Sequence, residues 1–333
     1  MVTIRDVAKK AGVSVTTVSR VLNNSDHPVN TETRAKIEAA IKELGYYPNA
    51  WARHLITGRT SIIGLMVPDI TNPYYYGIAR GAEAAAHELG YATIMGNTDR
   101  VAKKAYRYLE LLREKRVEGI IIAGGGSINL PPQLFVDKSG PTKIVLIGRH
   151  GVNFPSIRVD NVKAAREATD YLLRLGHQRI AIITGMQTST TSIDRLEGYR
   201  KALEEAGINP RPEYVVEGDF TAKSGYEGAN RLLSLSDPPT AIVTVNDLEG
   251  LGAVRGCLDR GLRVPDDVSI VGFDRIEMLD YSYIRLTSVD IPTYEIGRAA
   301  VQMVVDLLHE KNVKTPFYLP TKLVLGESCG PPP

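Results

Sequence analysis

From Ser61 onward, short apolar runs alternate with amphipathic helical stretches, and this alternation constrains the fold more than any other feature of the chain. The runs are Ser61 to Pro68 (SIIGLMVP), Ala92 to Gly96, Gly119 to Ala123, Lys143 to Ile147, Arg179 to Thr184, Val215 to Glu217, Ala241 to Val245 and Val268 to Gly272. Such short, continuously apolar runs suit strands buried on both faces of a parallel sheet, whose successive strands need helical crossovers. Helices are predicted from about Tyr75 to Leu89 and from Ala164 to Leu175. Two series of these units make two doubly wound α/β lobes. The final segments, Thr287 to Val289 and Phe317 to Val324, are too few for a third lobe and are expected to return to the first. The first lobe is therefore expected to span about 61–159 and 290–325, and the second about 160–289.

The residues ahead of this body follow a helical period instead. Thr3 stands as an N-cap with Asp6 in the capping-box position. Ile4, Val7, Ala8 and Ala11 share one helical face, and Gly12 reaches a positive φ at little cost. Ser14 caps a second helix, Val15 to Leu22, with Val18, Val21 and Leu22 inward; a third runs from about Thr31 to Leu44 and is closed by Gly45. Helix, three-residue turn and helix make a helix-turn-helix over residues 1–46. The outward residues of the second helix, Val15, Thr16, Thr17, Ser19, Arg20 and Asn23, are small or polar, which lets a helix sit deep in the major groove of DNA. Val15 and Thr16 are placed to touch base edges and Arg20 to pair with a guanine. Thr3 joins this DNA-binding set, Ser14, Thr17, Ser19 and Asn23 are placed to hold phosphates, and His27 is a candidate for a phosphate or base. The competing reading is a small bundle with a merely solvated polar face. Residues 1–60 carry nine Lys/Arg against five Asp/Glu, the remainder 31 against 33, and a small basic head on a slightly acidic body suits a polyanion partner without deciding between the two readings.

Residues 47–60 add a second signal. Tyr47 to Leu55 reads as one short helix with Pro48 in its first turn, followed by the linker Thr57-Gly58-Arg59-Thr60. A helix this short has little reason to be stable alone and makes sense if it folds on a partner. Leu55, near small Ala52, then serves as a wedge between base steps in the minor groove. A single head makes too few contacts for useful specificity, so a homodimer on pseudo-palindromic double-stranded operator DNA is expected.

Ligands of doubly wound sheets bind beyond the carboxyl ends of the strands. Those ends carry Asp69 to Tyr75 (DITNPYY), Gly148-Arg149, Asn246-Asp247 and Phe273-Asp274, and Arg195 is expected to open the helix after Gly185. Carboxylate, amide and guanidinium groups beside aromatic faces fit a polyhydroxylated small molecule. An Asp after a strand also serves as a helix cap, and Asp247 has that simpler reading.

The segments Thr3-Ile4-Arg5-Asp6-Val7-Ala8, Ala11-Gly12-Val13-Ser14 and Thr17-Val18-Ser19-Arg20-Val21-Leu22-Asn23 resemble the DNA-binding head of the lactose/galactose-repressor (LacI/GalR) family. Gly45-Tyr46, Pro48-Asn49, Ala52-Arg53 and Leu55 are similar to its hinge helix. In the body, residues 61–333, Val67-Pro68-Asp69-Ile70, Asn72-Pro73-Tyr74-Tyr75, Arg195-Leu196-Glu197-Gly198-Tyr199, Glu217-Gly218-Asp219-Phe220, Asn246-Asp247 and Val271-Gly272-Phe273-Asp274 resemble the same family and the periplasmic sugar-binding proteins that share its fold. The resemblance implies an all-α helix-turn-helix head on a two-lobed α/β effector domain of the type I periplasmic-binding-protein kind. It implies paired hinge helices in the central minor groove, with Leu55 inserted and Asn49 and Ala52 beside it. Carried over residue by residue, it implies effector contacts from Tyr74, Tyr75, Arg195, Phe220, Asn246 and Asp274, and also from Arg149, Asp160 and Thr191. The effector it implies is a sugar, although Arg149 stands where some members have an aromatic residue. No cofactor or metal is implied.

Other classes fit less well. The run Gly124-Gly125-Gly126-Ser127 lacks the Lys-Ser/Thr of a phosphate-binding loop and reads as a plain loop after a strand. The histidines at 27, 54, 87, 150, 177 and 309 and the cysteines at 257 and 329 show no metal-ligand spacing. His177, at a helix C-terminus, is expected to be a cation that suits the helix dipole. No nucleophile elbow or paired-acid signature points to an enzyme. An exported solute-binding protein would need a signal peptide, and Met1 to Asp6 lacks a basic-then-apolar start, so a cytoplasmic protein without membrane attachment is expected.

Overall fold

The computed structural model describes residues 2–22, 28–46, 60–126 and 142–333. It divides into two units, Met1–Thr60 and Ser61–Pro333. The first unit holds three helices, α1 (Ile4–Ala11), α2 (Val15–Leu22) and α3 (Thr31–Leu44). Their ends are set by local chemistry. The Asp6 carboxylate accepts the backbone N–H and the hydroxyl of Thr3, each at 2.8 Å, and these bonds hold its carboxyl below the usual range. Gly12 (φ 69°) and Gly45 (φ 58°) close α1 and α3 in the left-handed region. Ser14 Oγ accepts the Thr17 N–H at 3.1 Å, and Asn30 Oδ1 accepts that of Glu32 at 2.8 Å. Val7, Val18 and Ile37 are fully buried, with Ala8, Val21 and Ala40 around them. Tyr46 completes this core from beyond α3, where the helical period no longer applies.

The second unit alternates strands and helices. In chain order they are β1 (Ile62–Val67), α4 (Tyr74–Glu88), β2 (Ala92–Asn97), α5 (Ala102–Glu114), β3 (Gly119–Ile122), β4 (Lys143–Ile147) and β5 (Ser156–Arg158). Then follow α6 (Asn161–Arg174), β6 (Ile180–Thr184), α7 (Thr190–Glu205), β7 (Val215–Glu217), α8 (Ala222–Leu233), β8 (Ala241–Thr244), α9 (Asp247–Asp259) and β9 (Ser269–Asp274). The last are β10 (Thr287–Asp290), α10 (Thr293–Leu308), β11 (Phe317–Tyr318) and β12 (Lys322–Val324). Two six-stranded sheets result, ordered β11-β5-β4-β3-β1-β2 and β12-β10-β9-β8-β6-β7. All pairs are parallel except β10 with β12. The central strands are apolar on both faces because helices cover both: Ile120, Ile121 and Ile122 of β3, and Ile180 to Ile183 of β6, are essentially inaccessible to water.

The closing segments divide differently from the expectation. Thr287–Asp290 pairs with β9 in the second sheet, and Lys322–Val324 pairs with it antiparallel. Only α10, packed on α4, and Phe317–Tyr318, paired with β5, return to the first lobe. Strand β12 pairs with β10 and takes its place as the edge of the second sheet. The chain thus crosses between the lobes three times, near residues 159, 291 and 320.

His177 also departs from its expected role. It is 1% exposed and lies within hydrogen-bond distance of Thr240 Oγ1 (2.9 Å), Ser269 Oγ (3.1 Å) and the Gly330 carbonyl (2.9 Å). Burial pushes its pKa down, so it is a neutral clamp on the final strand extension and not a cation at a helix end. Among the described residues no helix is long and apolar enough to cross a membrane.

Candidate functional site

In the first unit, α2 presents Val15, Thr16 and Arg20 outward, and Val15 is 41% exposed although apolar. Thr17 and Ser19 are half-buried beside them. The hydroxyls of Ser14 and Thr17 stand 2.8 Å apart and share a hydrogen bond, which fixes both at the start of the helix. Thr3 is exposed at the start of α1. Of the residues expected at DNA, Asn23, His27, Asn49, Ala52 and Leu55 lie outside the described residues.

In the second unit, the carboxyl ends of both sheets face one cleft, where ligands of doubly wound sheets bind. Tyr74, Tyr75, Thr191, Arg195, Phe220, Asn246 and Asp274 all line it. Asn72 Oδ1 accepts the Tyr74 N–H at 3.0 Å, which starts α4 with the two tyrosines at the cavity wall. Their rings meet edge to face with centroids 5.0 Å apart. Burial pushes both phenols well up, so they stay protonated, and neither hydroxyl has a protein partner among the described residues. They are free to bond a ligand.

Arg195 organises the opposite wall. It is 4% exposed, donates from Nε to Asn161 Oδ1 at 2.9 Å and from Nη1 to the Val245 carbonyl, and stands 3.7 Å from Asp274 Oδ1. Its guanidinium also lies 4.3 Å from the centre of the Phe273 ring. Burial pushes the Asp274 carboxyl up to about 7 against the pull of Arg195. Behind it, Asp247 is fully buried: Oδ1 accepts the Ser288 hydroxyl at 2.6 Å and Oδ2 the Ile276 N–H at 2.9 Å. Burial, then the neighbouring Asp274, raises the Asp247 carboxyl. Burial thus works against ionisation of both acids. The capping role read for Asp247 belongs instead to Asn246, whose Oδ1 accepts the Glu249 N–H at 2.9 Å.

Two expected effector residues stand elsewhere. Arg149 is exposed and held by an ion pair with Asp194, and Asp160 spends its carboxylate on the Lys163 N–H at the start of α6 (2.9 Å). Their neighbours Gly148, Val159 and Asn161 line the cavity in their place. The structure adds Arg100, for which the sequence offers no signal beyond its place after β2. Arg100 pairs with Asp69 at 3.2 Å and places its guanidinium 5.7 Å from the Phe220 ring centre. Contacts also close the lobes on each other: Thr190 donates its N–H to the Gly125 carbonyl at 2.8 Å, and its hydroxyl lies 2.6 Å from the carbonyls of Gly125 and Arg149. Gly124 and Gly125 follow a strand as read, and they also line the cleft, which the sequence reading did not assign to them; Ser127 lies outside the described residues.

Such a site binds a compact molecule rich in hydroxyls, and among the described residues no acidic, His or Cys cluster is arranged to hold a metal. The profile of bacterial regulatory proteins of the lacI family matches residues 3–49, and that of periplasmic binding proteins and sugar binding domain of LacI family matches residues 60–323. The HTH-type transcriptional regulator RegA of Clostridium saccharobutylicum is 38% identical over 317 residues, 95% of each chain. Among solved structures, the lac repressor dimer bound to operator and the anti-inducer ONPF is similar with a TM-score of 0.87, at 30% identity and 98% of both chains. The transcriptional regulator CelR–cellobiose complex is similar with a TM-score of 0.75, at 34% identity, over 98% of this chain and 100% of that one.

Proposed function

The chain belongs to the LacI family of bacterial transcriptional regulators, and from that premise we propose that it represses carbohydrate-utilisation genes and that a sugar held between its two lobes alters its affinity for operator DNA. One observation carries the effector assignment. Arg195, Asp274 and Asn246 converge with the unpartnered hydroxyls of Tyr74 and Tyr75 and the ring of Phe220 on one cavity, where hydroxyls find charged partners and a sugar ring finds aromatic faces. The solved relative that holds cellobiose supports a mono- or disaccharide.

In this reading residues 1–46 are the DNA-binding head, 47–60 the hinge helix and linker, and 61–333 the effector-binding and dimerisation domain of a cytoplasmic homodimer. Val15, Thr16 and Arg20 read base edges of a pseudo-palindromic operator. Sugar binding changes how the first lobes of the two subunits meet, hence the spacing of the linkers and the fit of the hinge helices to DNA. The test is a salt-controlled gel-shift titration on selected operators, with and without a panel of mono- and disaccharides. One sugar is expected both to shift the operator affinity and to raise the melting temperature of the protein. Operator binding that no sugar alters, together with melting that no sugar raises, would overturn the assignment.

A further inference from the structure

We propose that Glu249 is a positioning residue of the effector site, whose buried side chain fixes the aromatic wall Phe220 and does so as the uncharged acid; the link to the effector rests on the cleft reading above. Phe220 stands at φ 71°, a left-handed conformation uncommon for a residue with a Cβ, and therefore depends on what holds it. Three hydrogen bonds close a ring around it. The Phe220 N–H donates to Glu249 Oε1 at 2.9 Å, the Glu249 N–H donates to Asn246 Oδ1 at 2.9 Å, and Asn246 Nδ2 donates to the Phe220 carbonyl at 3.0 Å. Ser224 gives Oε1 a second bond, from its hydroxyl, at 3.1 Å. The ring has no slack on the Glu249 side. Helices α8 and α9 cross so closely that a Cβ on Gly225 would come within 2.1 Å of the Glu249 carbonyl oxygen. The Phe220 side chain then lies between the Arg100 guanidinium and Gly185, where an added Cβ would meet the ring edge at 2.4 Å.

The other carboxyl oxygen sets the protonation state. Among the described residues, Glu249 Oε2 is buried and has no hydrogen-bond partner. A bare buried carboxylate oxygen is costly, whereas the acid form carries no net charge. The surroundings agree. The turn before α8 brings Asp219, of like charge; α8 brings only the Ser224 hydroxyl; and on α9 itself Asp247 is committed to Ser288 and Ile276. Burial, with Asp219 adding to it, pushes the carboxyl up to about 8 against the pull of the Phe220 N–H, the Ser224 hydroxyl and the Val245 backbone.

The test is amide hydrogen exchange at Phe220 in the full chain, comparing wild type, Glu249→Gln and Glu249→Ala from about pH 5 to about pH 9. Gln keeps the acceptor oxygen and the neutral charge, so E249Q protects the amide; E249A exchanges at least about tenfold faster at every pH. Opening frees the wild-type carboxyl to ionise at its ordinary value of 4.5, whereas the closed state holds the proton to about 8. The wild-type rate relative to E249Q therefore climbs by up to about tenfold per pH unit between those values and then levels off. A flat ratio would show that the closed acid is already ionised, and an E249A amide as slow as that of E249Q would remove the positioning role. Cellobiose serves as the binding probe: the thermal shift it produces survives E249Q and is lost in E249A. The exchange readout needs no sugar, so its failure is distinct from failure of the effector assignment.

Discussion

Replacing Arg195 by alanine removes a guanidinium with three commitments at once. The bonds to Asn161 Oδ1 (2.9 Å) and to the Val245 carbonyl disappear, and Asp274 loses the cation 3.7 Å away. Breaking a buried ion pair from one side costs about 3–5 kcal/mol, most of it the stranded charge. Asp274 has a partial escape, because its carboxyl already stands near 7 and takes up a proton at neutral pH once the guanidinium is gone. The expected loss therefore sits at the low end, about 3 kcal/mol, against total stabilities of about 5–15 kcal/mol. In an Asp274→Asn background no charge is stranded, and the same truncation costs about 1–2 kcal/mol less. Urea unfolding of the wild type, both single variants and the double variant measures this coupling. Gel shifts on the same four proteins should show operator binding without sugar unchanged and the sugar response abolished in both Arg195→Ala chains. Strict additivity, a loss for Arg195→Ala below about 1 kcal/mol, or a retained sugar response would each refute the reasoning.

Asp274→Asn alone should flatten the pH profile of stability. A carboxyl raised by burial from 3.8 to about 7 stabilises the fold fully below the lower value and loses that contribution as pH rises through the upper one, so the wild-type urea midpoint falls across this window and the variant's falls less. Parallel profiles would mean that Asp274 is ionised throughout. Arg20→Ala should relax base preference at one operator position and cost about 1–3 kcal/mol there, read by titrating single-base operator variants; an unchanged preference would place Arg20 on the backbone. Gly252→Ala should lower the melting temperature by roughly 5 °C, a net loss of about 2 kcal/mol after the gain in helix propensity. Its Cβ would stand 1.9 Å from the Ala222 carbonyl oxygen and force α8 and α9 apart, and unaltered melting would show that the helices yield freely.

The elements were legible because period and length agreed. Continuously apolar runs such as Gly119 to Ala123 became central strands, and the capping residues Thr3, Ser14 and Gly12 ended helices where the sequence placed them. The destination of the last strands was not legible: Phe317–Tyr318 and Lys322–Val324 are two and three residues long, and pairing, not pattern, assigns them to different sheets. The cleft was read from strand ends, which brought Arg195, Asn246 and Asp274 into view. Arg100 and Glu249 escaped for opposite reasons. Arg100 reaches the cavity from a turn with no motif, and Glu249 looks like an ordinary first-turn helix acid until its burial and its bond to Phe220 are seen. Arg149 and Asp160 were drawn in by position alone, which says nothing of the Asp194 and Lys163 partners that hold them elsewhere.

The three crossings between the lobes make the body hard to take apart. A fragment ending near residue 159 lacks α10 and β11, which complete the first sheet, whereas a fragment beginning there carries those pieces without the strands they pack on. The second lobe can be made alone only by splicing Asp290 to Lys322 across the excised first-lobe return, since these residues already pair side by side. Protease nicks in one crossing should leave the pieces bound together. Neither lobe is a continuous stretch of sequence, so neither can be lifted out by a single cut in the chain.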